Sequence, residues 1–239
     1  MIRALVIIAT VGFVVAVVCF ATAGMVGGPW GQGCHIWMPG SSWAPWRRPW
    51  APGPTIVRNY QWTGGDTLRI DVPASLMYTQ GPTSKLTIMG PKGLLDKLTV
   101  EDGRIGIDGC TGDAPKLKIV MTAPNVTDFR VSGAQLLSIA NYKQDQLSIR
   151  VAGAGDVIAR GEANHTTLRI SGTGNADLGG LTGDDSTVRI SGTGRATIAP
   201  KLSADIRISG MGQITLLTHP ATVKQRISGM GSIIQASAK

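Results

Sequence analysis

Alternating apolar and polar residues run in short stretches through most of this chain of 239 residues. A period of two is typical of a β-strand that buries one of its faces. In residues 168–171 (Leu-Arg-Ile-Ser), the leucine and the isoleucine are expected to point inward and the two polar residues outward. No helical periodicity of any length occurs after residue 54, so the pattern predicts an all-β protein.

Six of these stretches are versions of one phrase, in which an arginine is followed by an apolar residue, a small residue and a glycine. The final glycines are 20, 19, 20, 18 and 19 residues apart; they are Gly133, Gly153, Gly172, Gly192, Gly210 and Gly229. From Gly153 onward each phrase continues as Gly-x-Gly and then into a second alternating stretch. Each unit is therefore predicted to contain two short strands joined at a glycine corner, because glycine is suited to a positive φ or a close backbone approach.

A unit of about 19 residues with two or three short strands has the size of one coil of a parallel β-helix. In such a solenoid the equivalent residues of successive coils stack on one another. The stretch 55–125 alternates without the glycine corner and is interpreted as irregular first coils, whereas 126–239 is interpreted as the regular coils. The prediction is one β-helix domain over residues 55–239.

The first 23 residues predict an export segment. Residues 4–23 carry no charge and are almost wholly apolar, which is typical of an N-terminal apolar helix. This helix is either a cleaved signal peptide, because residues 21–23 (Ala-Thr-Ala) offer a small-x-small cleavage pattern, or a retained membrane anchor. Both alternatives predict an exported protein, in the periplasm or on the outer cell surface, with membrane contact through the N-terminal segment.

Residues 24–54 differ in composition and are predicted to be a linker rich in tryptophan and proline. Five of the six tryptophans lie here, and they either contact a membrane surface or sugars, or cover the open first coil as a cap. Cys34 in this linker and Cys110 could form one disulfide in an exported protein, with two free thiols as the alternative.

The formal net charge of the chain is +8, and the arginine of each phrase is one source of it. These arginines are expected to stack as a column on one outer face; they are Arg130, Arg150, Arg169, Arg189, Arg207 and Arg226. The column either grips a linear polyanion, such as an acidic surface glycan, or is a solvated ladder whose methylene stems cover apolar surface. Nucleic acid is disfavoured as a partner, because no aromatic residues interleave with the basic ones.

The sequence does not indicate a catalytic, cofactor or metal site. Its three histidines have no cysteine or carboxylate at ligand or triad spacing, and no phosphate-binding glycine loop occurs. We therefore expect a protein that is not an enzyme and that uses neither a cofactor nor a bound metal.

The tandem Ile-Ser-Gly-x-Gly units follow the strand-rich stretch 68–72 (Leu-Arg-Ile-Asp-Val). Together they resemble the bacterial family described as putative auto-transporter adhesin, head GIN domain, a domain of unknown function. The resemblance covers roughly residues 59–237. It implies a right-handed single-stranded β-helix on an exported protein of the cell envelope, and it provides no catalytic residues to carry over.

Two functions agree with these observations. The first is a non-enzymatic binding or adhesion module that presents the basic column to an anionic polysaccharide or another envelope component. The second is an envelope scaffold that self-associates end to end, because the last coil, around residues 227–234, has no following helix to cover its edge. The sequence leaves both hypotheses open.

Overall fold

The computed structural model of the protein describes residues 53–107 and 115–236. All of them belong to one compact unit of the chain. The predicted export segment with its apolar helix, nearly all of the predicted linker, and both Cys34 and Cys110 lie outside the described residues. The proposed disulfide therefore stays a prediction.

The described residues form β-strands joined by turns and one short helix. In chain order the elements are β1 Thr55–Gln61, β2 Thr67–Ile70, β3 Ala74–Gln80, β4 Lys85–Pro91, α1 Lys92–Leu95, β5 Leu98–Glu101, β6 Arg104–Ile107, β7 Leu117–Ala123, β8 Asp128–Ile198, β9 Pro200–Leu216, β10 Thr222–Gly229 and β11 Ser232–Gln235. Within residues 53–107 and 115–236, no helix combines the length and the apolar character that a membrane crossing requires.

The predicted fold class, a right-handed single-stranded parallel β-helix, is wrong. The strands form one mixed sheet that curls on itself, and three of its strand pairs are antiparallel: β1 with β4, β4 with β7, and β5 with β6. One cause is visible between β5 and β6, which are joined only by Asp102 and Gly103, with φ of 45° and 77°. A two-residue turn with both φ positive returns the chain antiparallel, whereas a parallel pair needs a long connection.

The C-terminal part of the sheet is parallel and in register. Strand β9 pairs in parallel with β8, β10 and β11, so that Gly192 lies beside Gly210 and Gly210 beside Gly229. The glycines that end the recurring phrases all have positive φ, and Gly192, at 121°, lies directly against the carbonyl oxygen of Gly172. The positive φ predicted for these glycines is confirmed, and the close approach at Gly192 also excludes a side chain, whereas β8 continues as one strand through four of them.

The inward residues of the strands form one hydrophobic core. Leu168 and Ile170, on either side of Arg169, are buried, which confirms the predicted direction of the alternation. Near the N-terminal side of the core, the rings of Tyr78 and Phe129 meet edge to face, with centroids 5.0 Å apart and an interplanar angle of 72°. The Tyr78 hydroxyl donates a hydrogen bond of 2.8 Å to the Ala123 carbonyl, so its polar end is satisfied inside the core.

Candidate functional site

The arginines of the recurring phrase point away from the core because all of them except Arg226 stand between two inward apolar residues. Arg189, for example, lies between the fully buried Val188 and Ile190 on strand β8. Successive residues of a strand point to opposite faces, so burial of the two neighbours places the guanidinium on the outside. Strand β9 repeats the arrangement with Arg207, and Arg226 on β10 takes the same outward position because it pairs directly with Arg207.

The strand register brings all six predicted arginines into one row. Arg226 lies beside Arg207, and Arg207 lies beside Arg189. Within the long strand β8, successive phrases lie beside one another, and we call each phrase a layer. The glycine three residues after each arginine gives the register of these layers: Gly192 stacks on Gly172, Gly172 on Gly153, and Gly153 on Gly133. The row therefore continues through the preceding arginines, which are Arg169, Arg150 and Arg130.

Two further arginines join this row, and the sequence interpretation did not include them. Arg69 on β2 lies beside Arg130 and also beside Arg104 on β6. Arg69 stands between two apolar residues, Leu68 and Ile70, as most of the predicted arginines do, and this alternation could have identified it as an outward arginine. Arg104 follows a turn and lacks the phrase, so only strand pairing places it here. We call these eight residues the arginine row: Arg104, Arg69, Arg130, Arg150, Arg169, Arg189, Arg207 and Arg226.

Carboxylates of the same chain pair with one end of the arginine row. Asp71 accepts ion-paired hydrogen bonds from the Nε atoms of Arg69 and Arg104, at 2.9 and 2.8 Å. Asp128 accepts two hydrogen bonds from Arg130, the shorter being 2.7 Å, and this carboxylate raises the pKa of the Arg130 guanidinium above its ordinary value.

The other end of the row has fewer carboxylates. Arg207 pairs with Asp205 at 3.2 Å. Within the described ranges no ion pair involves Arg150, Arg169, Arg189 or Arg226. The Nε atoms of Arg150 and Arg189 are buried and have no hydrogen-bond acceptor among these residues. Their charge is partly desolvated without a compensating partner.

A groove of about 260 Å³ lies along the C-terminal end of the arginine row. Each of its three layers contributes one arginine and the serine two positions later, and Ile190 and Ile208 between them also line the groove. The polar residues that line it are Arg189, Arg207, Arg226, Ser191, Ser209 and Ser228. Guanidinium and hydroxyl groups donate hydrogen bonds, so this groove is suited to the oxygens of carboxylate, sulfate or phosphate groups.

A second groove, of about 420 Å³, is lined by the Gly-x-Gly segments that follow the arginines. Its walls include Asn175, Arg195, Gln213 and the exposed side chains of Met211 and Met230. This mixture of one cation, two amides and two thioethers does not favour one class of ligand. No group of three or more histidine, cysteine, aspartate or glutamate side chains able to hold a metal occurs in the described part of the chain.

The C-terminal edge of the sheet is exposed. Strands β10 and β11 each pair with β9, and their other edges have no partner among the described strands. The side chains at inward positions of this last layer remain open to solvent: Val223 is 39% exposed and Ile227 is 41% exposed. In the layer beside it, the equivalent Ala204 and Ile208 are only 1% and 2% exposed.

Comparison with protein families and solved structures gives one consistent result. A family model described as Putative auto-transporter adhesin, head GIN domain matches residues 66–220, which include every member of the arginine row except Arg226. No curated protein matches the chain.

The chain is also similar to several crystal structures. A putative adhesin from Bacteroides fragilis is 22% identical with a TM-score of 0.62, and the match covers 77% of this chain and 97% of that one. A putative lipid binding protein from Parabacteroides distasonis is 16% identical with a TM-score of 0.50, covering 77% and 98% of the two chains. At these identities the similarity shows a shared fold.

Proposed function

The chain belongs to the Putative auto-transporter adhesin, head GIN domain family, and on that premise we propose that it is a non-enzymatic binding module of the cell envelope. In this proposal the arginine row is the contact face, and its ligand is an anionic polysaccharide or a similar envelope polymer. The protein is exported, and the apolar segment 1–23 either directs the export or keeps the protein at the membrane.

One observation supports this proposal above all: the strand register gathers eight arginines from five strands into one row. Neighbouring strands of a sheet are about 4.8 Å apart, so the row offers a cation at nearly every such step. A single exposed ion pair contributes little, but a polymer with repeated anionic groups can form many at once. A linear polyanion is therefore the class of ligand that this face is suited to.

Retention on an immobilised acidic polysaccharide tests the proposal. Full-length protein should be retained on a polygalacturonate column at low salt, and released as salt rises, because exposed charge pairs are screened. The variant Arg169→Gln/Arg189→Gln/Arg207→Gln should lose most of this retention. A neutral dextran column is the control. Equal retention of the wild type and the triple variant would overturn the arginine row as the contact face.

A second candidate function, self-association through β10 and β11, is favoured by the exposed C-terminal edge. Unpaired strand edges with exposed apolar side chains tend to pair with another chain. The charges of Lys224 and Arg226 on β10 oppose this, because pairing β10 with its own copy brings like charges together. Sedimentation velocity decides the question: growth with concentration that Ile227→Lys abolishes supports self-association, and a monomer at high concentration excludes it.

A further inference from the structure

The acidic partners of the arginine row are distributed unequally along it. Toward the N-terminal end, three arginines share two carboxylates, those of Asp71 and Asp128. Toward the C-terminal end, five arginines from Arg150 to Arg226 have one carboxylate among the described residues, that of Asp205. The row is therefore nearly neutralised at one end and strongly positive at the other.

The hydrogen bonds of the guanidinium groups follow the same division. The Nε atoms of Arg69, Arg104 and Arg130 each donate to a carboxylate oxygen, at 2.9, 2.8 and 2.9 Å. The Nε atoms of Arg150 and Arg189 are buried and have no acceptor in the described structure. These two side chains have lost hydration at Nε without gaining a partner, so a ligand oxygen that reaches Nε would restore a hydrogen bond.

Arg69 and Arg104 pair with Asp71, two positions after Arg69, whereas within the recurring phrases the residue two positions before the arginine explains much of the difference. This residue also points outward, beside the guanidinium of the same layer. It is Asp128 in the first phrase, but Ser148, Thr167 and Thr187 in the next three. A carboxylate at this position pairs with the arginine, whereas a hydroxyl leaves the guanidinium free and adds a donor of its own. On the other side of the row, Ser191, Ser209 and Ser228 line the groove.

We propose that the anion-binding site is the segment of the row from Arg150 to Arg226, and that the segment Arg104–Arg69–Arg130 does not take part. This inference deepens the proposed function and rests on it. The ligand is a linear acidic polysaccharide that lies along the row and places its carboxylate or sulfate groups against successive layers. Each layer contributes one guanidinium, with a hydroxyl beside it in most layers.

The strand spacing sets the length of the ligand that the site accommodates. Five layers at about 4.8 Å give a site about 20 Å long from the first arginine to the last. An acidic oligosaccharide shorter than this reaches only part of the site, so its affinity should rise with length. Once the oligosaccharide spans the five layers, further sugars meet the neutralised end and should add little.

Four forms of the full-length protein test the location of the site: the wild type and three triple variants. Arg150→Gln/Arg169→Gln/Arg189→Gln removes three free arginines, and Arg69→Gln/Arg104→Gln/Arg130→Gln removes three neutralised ones. Lys85→Gln/Lys116→Gln/Lys118→Gln removes three exposed lysines outside the row. All three variants lose the same formal charge, so long-range attraction falls equally and only the local contacts differ.

Binding is measured by fluorescence anisotropy with end-labelled oligogalacturonates of increasing length, and thermal unfolding verifies that each variant is folded. The free-arginine variant should raise Kd by on the order of tenfold or more. The other two variants should change Kd by less than about threefold. If the neutralised-arginine variant does not fold, because Asp71 and Asp128 lose their partners, the lysine variant still provides the charge-matched control.

The possible outcomes separate this inference from the proposed function. No binding of any oligogalacturonate by the wild type would contradict both. Binding that all three variants weaken equally would leave a polyanion-binding protein but overturn the assigned segment, as would a loss confined to the neutralised-arginine variant. Affinity that does not depend on oligosaccharide length would overturn the orientation of the ligand along the row.

Discussion

Replacing Gly192 with alanine should destabilise the protein more than the same change at Gly133. Both glycines end a recurring phrase and both have positive φ, 121° at Gly192 and 93° at Gly133. A Cβ at Gly192 would press against the backbone carbonyl of Gly172 in the neighbouring layer, whereas a Cβ at Gly133 would meet nothing within 4 Å. The pair therefore separates the cost of the backbone conformation from the cost of the close approach.

The two costs can be estimated separately. An L-residue held at such a φ costs about 1–3 kcal/mol, and this applies at both positions. At Gly192 the backbone of the layer beside it cannot yield as a flexible side chain would, so the layers must separate locally. Weakening one or two ladder hydrogen bonds adds about 1–3 kcal/mol. We expect losses of about 1–3 kcal/mol for Gly133→Ala and about 2–6 kcal/mol for Gly192→Ala, with a difference of about 2 kcal/mol between the two variants.

Urea unfolding followed by circular dichroism measures both losses. If the free energies of unfolding of the two variants fall with urea at similar slopes, the difference between their midpoints reports the difference in stability directly. In thermal unfolding, a difference of about 2 kcal/mol corresponds to roughly 4–8 °C for a domain of this size. Equal destabilisation of the two variants would refute the reasoning, because it would mean that the stacking of glycines does not limit the approach of the layers.

Two further predictions concern charge and pH. Asp71→Asn should raise the affinity for an acidic polysaccharide by a few-fold, because it frees Arg69 and Arg104 from their ion pairs. Titration by fluorescence anisotropy measures this affinity. An unchanged affinity would show that this end of the row lies out of the ligand's reach. Burial raises the pKa of Tyr78 to about 12, above its unfolded value of about 10, so the unfolded chain loses this proton first. The contribution of Tyr78 to stability should be unchanged below about pH 10 and fall by roughly 2–3 kcal/mol as pH rises through about 12. Urea unfolding of Tyr78→Phe should show a smaller fall over this range, and an identical fall would contradict the assignment.

Local periodicity in the sequence predicted much of the structure. The alternation around Arg169 and Arg189 predicted which side chains point outward, because the direction of a side chain in a strand depends only on its position in the alternation. The spacing of the phrases also predicted that their arginines lie together, because stretches of equal length with the same corner stack in register. The positive φ and the close approach of Gly172 and Gly192 were predictable for the same reason, since these glycines meet only through that stacking.

The antiparallel pairs could not be predicted in this way. Strands β1 and β4 alternate as the later stretches do, and alternation is the same in parallel and antiparallel strands. The direction of pairing depends on which edges meet, and for β5 and β6 the turn at Asp102 and Gly103 determined it. These strands lack the glycine corner, so extending the parallel arrangement to them gave the wrong fold class.

The sequence by itself determined the outward arginines, the positive φ of the recurring glycines and the family. Only the tertiary structure decided that Arg69 and Arg104 lie in the same row, and that Asp71 pairs with both of them. The physical reason is distance along the chain: side-chain direction is a local property of a strand, whereas the pairing of β2 with β6 and β8 joins segments far apart in sequence. That pairing leaves one end of the row neutralised and the other end free.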